Sequence, residues 1–129
     1  MKTVVDPIFG EMKYDHSWEG IHSVPGVGQL RIVAQAYGDE GISDAQRGAY
    51  SSFLLNPTGF LVSASQSLGL YLAENDTGVN PENLRVESVL FRQDGIWGFL
   101  YSVPGAGSDG FSVRFENGKV IADSDDSLF

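Results

Sequence analysis

The chain has 129 residues, 42% of them hydrophobic, and a formal net charge of −9 from 17 acidic and 8 basic side chains. That length fits one domain, residues 1–129, able to bury a substantial core. The acidic balance argues against a nucleic-acid partner, whose phosphates require clustered Lys and Arg. The absence of cysteine excludes disulfides and thiolate nucleophiles.

Residues 8–24 read as a β-hairpin turning at Asp15-His16-Ser17. Pro25-Gly26 then supplies a type II turn, with proline at its second position and glycine at the third. Residues 29–37 form a third strand, closed by Gly38-Asp39-Glu40-Gly41. Ser43 followed by Gln46 is a capping box and starts a helix whose buried stripe is Ala49, Tyr50, Phe53 and Leu54. Asn56-Pro57 ends that helix and opens a second one, with Asn56 as N-cap and Pro57 at the first helical position. Leu55 is expected to pack on Phe60 as a hydrophobic staple. Apolar residues at spacings of three and four carry the second helix from Phe60 to about Glu74.

The last third reads as a meander. Residues 84–93 and 96–103 flank Asp94-Gly95, a two-residue hairpin signal that sets Leu90 opposite Phe99 and Arg92 beside Trp97. Residues 110–116 and 119–123 flank Asn117-Gly118, which sets Phe115 opposite Val120 and Val113 opposite Ala122. The expected fold is therefore α+β: an antiparallel sheet of about seven strands, in the order three strands, two helices, four strands. The two consecutive helices pack on one face.

One phrase occurs twice. Residues 18–28 and 97–107 share Trp, Ser, Val, Pro and two Gly at matching positions, within the units 18–37 and 97–115. The repeat suggests a duplicated strand-turn-strand device, with Trp18 and Trp97 at equivalent sheet positions. His22 corresponds to Tyr101, a slot for a flat ring with a polar tip, which reads as packing. Gly105 to Gly110 spells G-x-G-x-x-G, but the strand pattern after it is wrong for a dinucleotide site, which needs a helix there.

No catalytic set emerges from the two histidines, His16 and His22, or from Ser63, Ser65 and Ser67, and no metal or cofactor is expected. Glu87 and Glu116 sit on strand faces where carboxylates are ordinarily solvated. The partner-binding candidates are Asp123, Asp125 and Asp126 in the acidic tail, and the aromatic pair Trp18 and Trp97. No apolar run approaches the ~20 residues of a membrane span, and the N-terminus lacks the apolar core of a signal peptide. A cytoplasmic protein, without a membrane partner, is expected.

Asp6-Pro7-Ile8-Phe9-Gly10 with Trp18-Glu19-Gly20, and Gly110-Phe111-Ser112-Val113-Arg114-Phe115-Glu116-Asn117-Gly118-Lys119, resemble the opening and ending of a family of small uncharacterised bacterial proteins. Ile42-Ser43-Asp44-Ala45-Gln46 resembles that family's glutamine-containing helix. This chain has Ser108-Asp109 where the family often has a histidine. Some members lie beside polymorphic-toxin genes and are suspected immunity proteins. The resemblance thus implies a non-catalytic acidic module that holds a basic protein partner. The alternative is an enzyme or small-molecule sensor with a pocket between sheet and helices.

Overall fold

Capping chemistry fixes the middle of the chain. In the computed structural model, which describes residues 2–37, 40–103 and 110–124, helix α1 spans Asp44–Leu55 and helix α2 spans Pro57–Glu74. The Ser43 hydroxyl accepts from the Gln46 N–H, and the Gln46 side chain accepts from the Ser43 N–H, so two orphan donors of the first turn are satisfied reciprocally. Asn56 caps α2 through the Gly59 N–H. Leu55 does not act as a staple. It is 86% exposed, and Phe60 packs instead against Phe53, Trp97 and Phe115.

Eight strands form one sheet: β1 (Thr3–Asp6), β2 (Gly10–Tyr14), β3 (Trp18–Val24), β4 (Gly28–Ala34), β5 (Arg85–Phe91), β6 (Trp97–Ser102), β7 (Phe111–Glu116) and β8 (Lys119–Ser124). Their spatial order follows the chain order. The count is eight rather than about seven, and the order is four strands, two helices, four strands. The additional strand, β1, is a four-residue edge strand paired with β2, too short for its alternation to stand out. The sheet is also not wholly antiparallel. β4 and β5 run parallel, with Ile32 opposite Val89 and Ala34 opposite Phe91. A parallel neighbour requires the chain to return to the starting end, and the two helices provide that return.

The turns divide into those that match the sequence signals and one that does not. Val27 N–H donates to Val24 O across Pro25-Gly26, with Gly26 at φ +77°, as a type II turn requires. Asn117 and Gly118 both take positive φ, and Phe115–Val120 and Val113–Ala122 pair as expected. The Asp94-Gly95 hairpin is shifted by one residue: Leu90 faces Gly98, and Phe91 faces Trp97. Arg92 N–H donates to Ile96 O, so the loop has three residues, Gln93-Asp94-Gly95, closed by Gly95 at φ +91°. Arg92 consequently pairs with Asp94 rather than with Trp97.

Aromatic side chains fill the space between sheet and helices. Register places Trp18, Ala34, Phe91, Trp97 and Phe115 in one row across β3 to β7. Trp97 stacks between Phe91 and Phe115, with ring centroids 5.6 and 4.5 Å away, and meets Phe53 of α1 and Phe60 of α2 edge-on or tilted. Trp18 lies in the same row but differs in neighbours: its indole N–H donates to Glu40 O, and Tyr14 meets it edge-on.

Asp6 ties the β1–β2 hairpin to α1. It is 3% exposed, accepts from the Ile8 and Phe9 N–H groups, and pairs with Arg47, whose Nε lies 2.8 Å away. Burial pushes the Asp6 carboxyl up, but hydrogen bonds from Arg47, Phe9 and Ile8 outweigh it, and the net pKa is lowered. A lowered folded-state pKa adds stability at neutral pH that is lost as pH falls through the folded value. Asp6→Asn is expected to cost about 2 kcal/mol at pH 7. That penalty should shrink below about pH 5, as the unfolded chain's Asp6 carboxyl begins to protonate ahead of the folded one. Urea unfolding of both proteins across that range checks it; a penalty independent of pH would contradict the assignment.

Candidate functional site

Both helices pack on one face of the sheet, and among the described residues no element covers the other. Cross-strand partners share a face, so the pairing defines what this open face displays. One row runs Ile21, Arg31, Ser88, Leu100, Ser112, Asp123. The next runs Glu19, Val33, Leu90, Gly98, Arg114, Ile121. Val33, Leu90 and the half-buried Leu100 form a small apolar cluster separate from the main core. Ile21, by contrast, is 70% exposed.

Two adjoining depressions mark this face. The larger, about 630 Å³, is bounded by Glu11, Lys13, Asp15, Glu19, Ile21 and Arg31. The smaller, about 330 Å³, has Val33, Leu90 and Leu100 as its floor, with Asp15, Glu19 and Arg31 shared between the two. The larger one arises where the β2–β3 ladder stops. Only Lys13–Glu19 and Tyr14–Trp18 pair, and beyond them β2 swings across Gly20. A Cβ built on Gly20 would stand 2.8 Å from Glu11 O and 2.9 Å from Met12 Sδ. The missing side chain is what admits Met12 there.

Charge on the open face is mixed. Glu11, Glu19, Glu116 and Asp123, with Asp15 in the adjoining turn, stand with Lys13, Arg31, Arg85, Arg114 and Lys119. Arg31 is held by Glu19. Arg114 Nε donates to Glu116 at 3.0 Å, and its guanidinium reaches to 4.0 Å from Asp123. Arg31 and Arg114 are therefore already neutralised, and around the larger depression Glu11 and Asp15 outnumber Lys13.

The residues singled out from sequence fall in different places. Trp18 and Trp97 are both buried on the helix-facing side, where they build the core and leave surface contacts to others. Asp123 lies on β8 at the edge of the open face. Asp125, Asp126 and most of the G-x-G-x-x-G stretch lie outside the described residues, while Phe111 after that stretch begins a strand. His16 is fully exposed in its turn at φ 66°. His22 is half-buried beside Met12. Ser63 and Ser65 are exposed on α2, Glu87 is exposed, and Glu116 is held by Arg114. Among the described residues no three His, Asp or Glu side chains converge as a metal set.

Among the described residues two buried hydroxyls have no hydrogen-bond partner: Ser88 Oγ, beside the bulge at Val86/Ser88, and Tyr101 Oη. Burial pushes the Tyr101 phenol up to about 12, and the nearby Ser65 hydroxyl draws it back only slightly. At neutral pH it is a neutral, core-filling group. The open-face cluster escapes sequence reading because Val33 and Leu90 meet only through the parallel β4–β5 pair.

No helix of the described residues is long and apolar enough to cross a membrane. Compared with known proteins, the chain matches no family model, no curated protein and no solved structure.

Proposed function

We propose that this chain is a non-catalytic binding module, of the immunity-protein kind, that holds a basic protein partner on the open face of its sheet. The observation that carries the reading is the pair of adjoining depressions. They offer an apolar floor at Val33, Leu90 and Leu100, an exposed Ile21, and a rim with carboxylates Glu11, Asp15 and Glu19. Apolar ground inside a polar rim is the general anatomy of a protein contact. The net charge of −9 adds long-range attraction, which raises the association rate more than the affinity.

The alternative, an enzyme or sensor with a pocket between sheet and helices, has less behind it. Phe53, Phe60, Trp97, Phe99 and Phe115 fill that space with ring contacts.

The test is binding to the basic product of the neighbouring gene, measured at low and high salt. A complex is expected whose association slows as salt rises. The double reversal Glu11→Lys/Asp15→Lys is expected to weaken it at least tenfold, which is about 1.4 kcal/mol. Undetectable binding at low salt, or equal affinity in the double variant, would overturn the reading.

A further inference from the structure

Three unlike donor atoms meet above Gly20. His22 Nε2 lies 3.4 Å from Met12 Sδ. A Cβ built on Gly20 would stand 2.6 Å from that nitrogen, 2.8 Å from Glu11 O and 2.9 Å from the sulfur. An imidazole nitrogen, a thioether sulfur and a carbonyl oxygen thus project into the space that a side chain at position 20 would occupy.

The local structure explains the convergence. His22 and Gly20 share the helix-facing side of β3 with Trp18. β2 pairs with β3 only as far as Lys13–Glu19 and then crosses over Gly20, carrying Met12 toward His22. Met12 is fully buried and His22 half-buried. Gly20 and His22 are both among the residues around the larger depression, while Met12 is not, so the half-buried His22 is the donor nearest solvent. On the same rim Glu19 and Arg31 neutralise each other, and Glu11 and Asp15 outnumber Lys13, which leaves a small negative charge facing an approaching cation.

We propose that Met12, His22 and the Glu11 carbonyl form a binding site for a soft monovalent cation, of the copper(I) or silver(I) class. Thioether sulfur selects soft ions, and imidazole suits them as well, whereas hard divalent ions take oxygen sets. The chain has no cysteine, so a Met–His pair is its softest donor set. The site is independent of the proposed protein contact, although it opens into the same depression.

Silver(I) is the probe, since it needs no reductant. It is titrated into the full chain in chloride-free buffer, with the Met12 methyl and His22 ring resonances as readouts. One equivalent is expected to bind, shifting both resonances together. Met12→Leu, which conserves volume and leaves the core filled, and His22→Gln are each expected to weaken binding at least tenfold. His16→Gln should leave it unchanged, since that ring is remote and exposed. Silver affinity equal in wild type and in Met12→Leu would overturn the proposal, because binding would then rest on Met1 or His16. Shifts at His22 without any at Met12 would overturn it too.

Discussion

Gly98→Ala is expected to remove upwards of about 3 kcal/mol of stability, enough to leave much of the protein unfolded at 37 °C. A Cβ at this position would press into the carbonyl oxygen of Val113 and stand 2.8 Å from Arg114 Cα and 2.9 Å from Val113 C. All three obstacles are backbone atoms of β7, so no rotamer change relieves the overlap. The strands would have to part. Gly98 pairs with Leu90 on one side and Arg114 on the other, and it sits between Trp97 and Phe99. Separating β6 from β7 therefore also disturbs the stack of Trp97 on Phe115. Thermal unfolding, with tryptophan fluorescence as a second probe, checks this. A melting temperature within a degree or two of wild type would show that β7 can yield.

The same glycine shows where sequence reading succeeds and where it stops. Gly98 belongs to the second copy of the repeated phrase, at the position that Glu19 holds in the first, so the phrase itself gives no warning that a side chain is forbidden there. The prohibition comes from β7, whose approach depends on how the sheet coils. Signals that act within a few residues were legible. The Ser43–Gln46 box, Asn56-Pro57 and Asn117-Gly118 place both helices and the β7–β8 register correctly. Asp94-Gly95 was legible as a turn but ambiguous in length, and the one-residue difference moves Phe99 from Leu90 to Val89. Such a slip swaps faces for every side chain in the pair.

Features that need distant segments were not legible. The open-face floor requires Val33 beside Leu90, which follows from the parallel crossover. Trp18 and Trp97 stood as partner-binding candidates because the sequence does not say which face of their strands the two helices cover. Met12 and His22 lie on a hairpin whose turn was correctly placed, so a register count alone sets Met12 opposite Gly20, diagonal to His22. What could not be counted was the departure of β2 from the ladder, which turns a diagonal neighbour into a 3.4 Å contact.

Gln46 is the second position where one side chain should decide stability, for an electrostatic reason. It is fully buried, yet both its amide N–H groups and its carbonyl oxygen are hydrogen-bonded. Its Nε2 donates to the carbonyls of Gln35 at 2.8 Å and Phe91 at 2.9 Å, and its Oε1 accepts from the Ser43 N–H at 2.8 Å. Phe91 ends β5 in the last rung of the parallel pair, and Gln35 follows directly after β4. One side chain thus caps α1 and clamps the sheet at its parallel β4–β5 junction. Gln46→Leu keeps the shape but removes three hydrogen bonds. Gln35 O keeps a donor in Gln93 Nε2, and Phe91 O keeps the Gln35 N–H, while the Ser43 N–H loses its acceptor. The expected cost is about 2–3 kcal/mol. Gln46→Glu should cost more at pH 7, about 3–5 kcal/mol, because an ionised carboxylate would face two carbonyl oxygens without a cation. Protonation lets the introduced carboxyl donate to one of them, so its folded-state pKa is raised. The pKa shift is opposite in sign to that of Asp6, raised rather than lowered, yet the Gln46→Glu penalty likewise falls as pH falls, because here the folded form binds the proton more tightly than the unfolded form. Urea unfolding at pH 7 and pH 5 separates the two substitutions. The leucine penalty should stay constant while the glutamate penalty narrows. Equal penalties at both pH values would mean that the introduced side chain has swung out to solvent and that the clamp is dispensable.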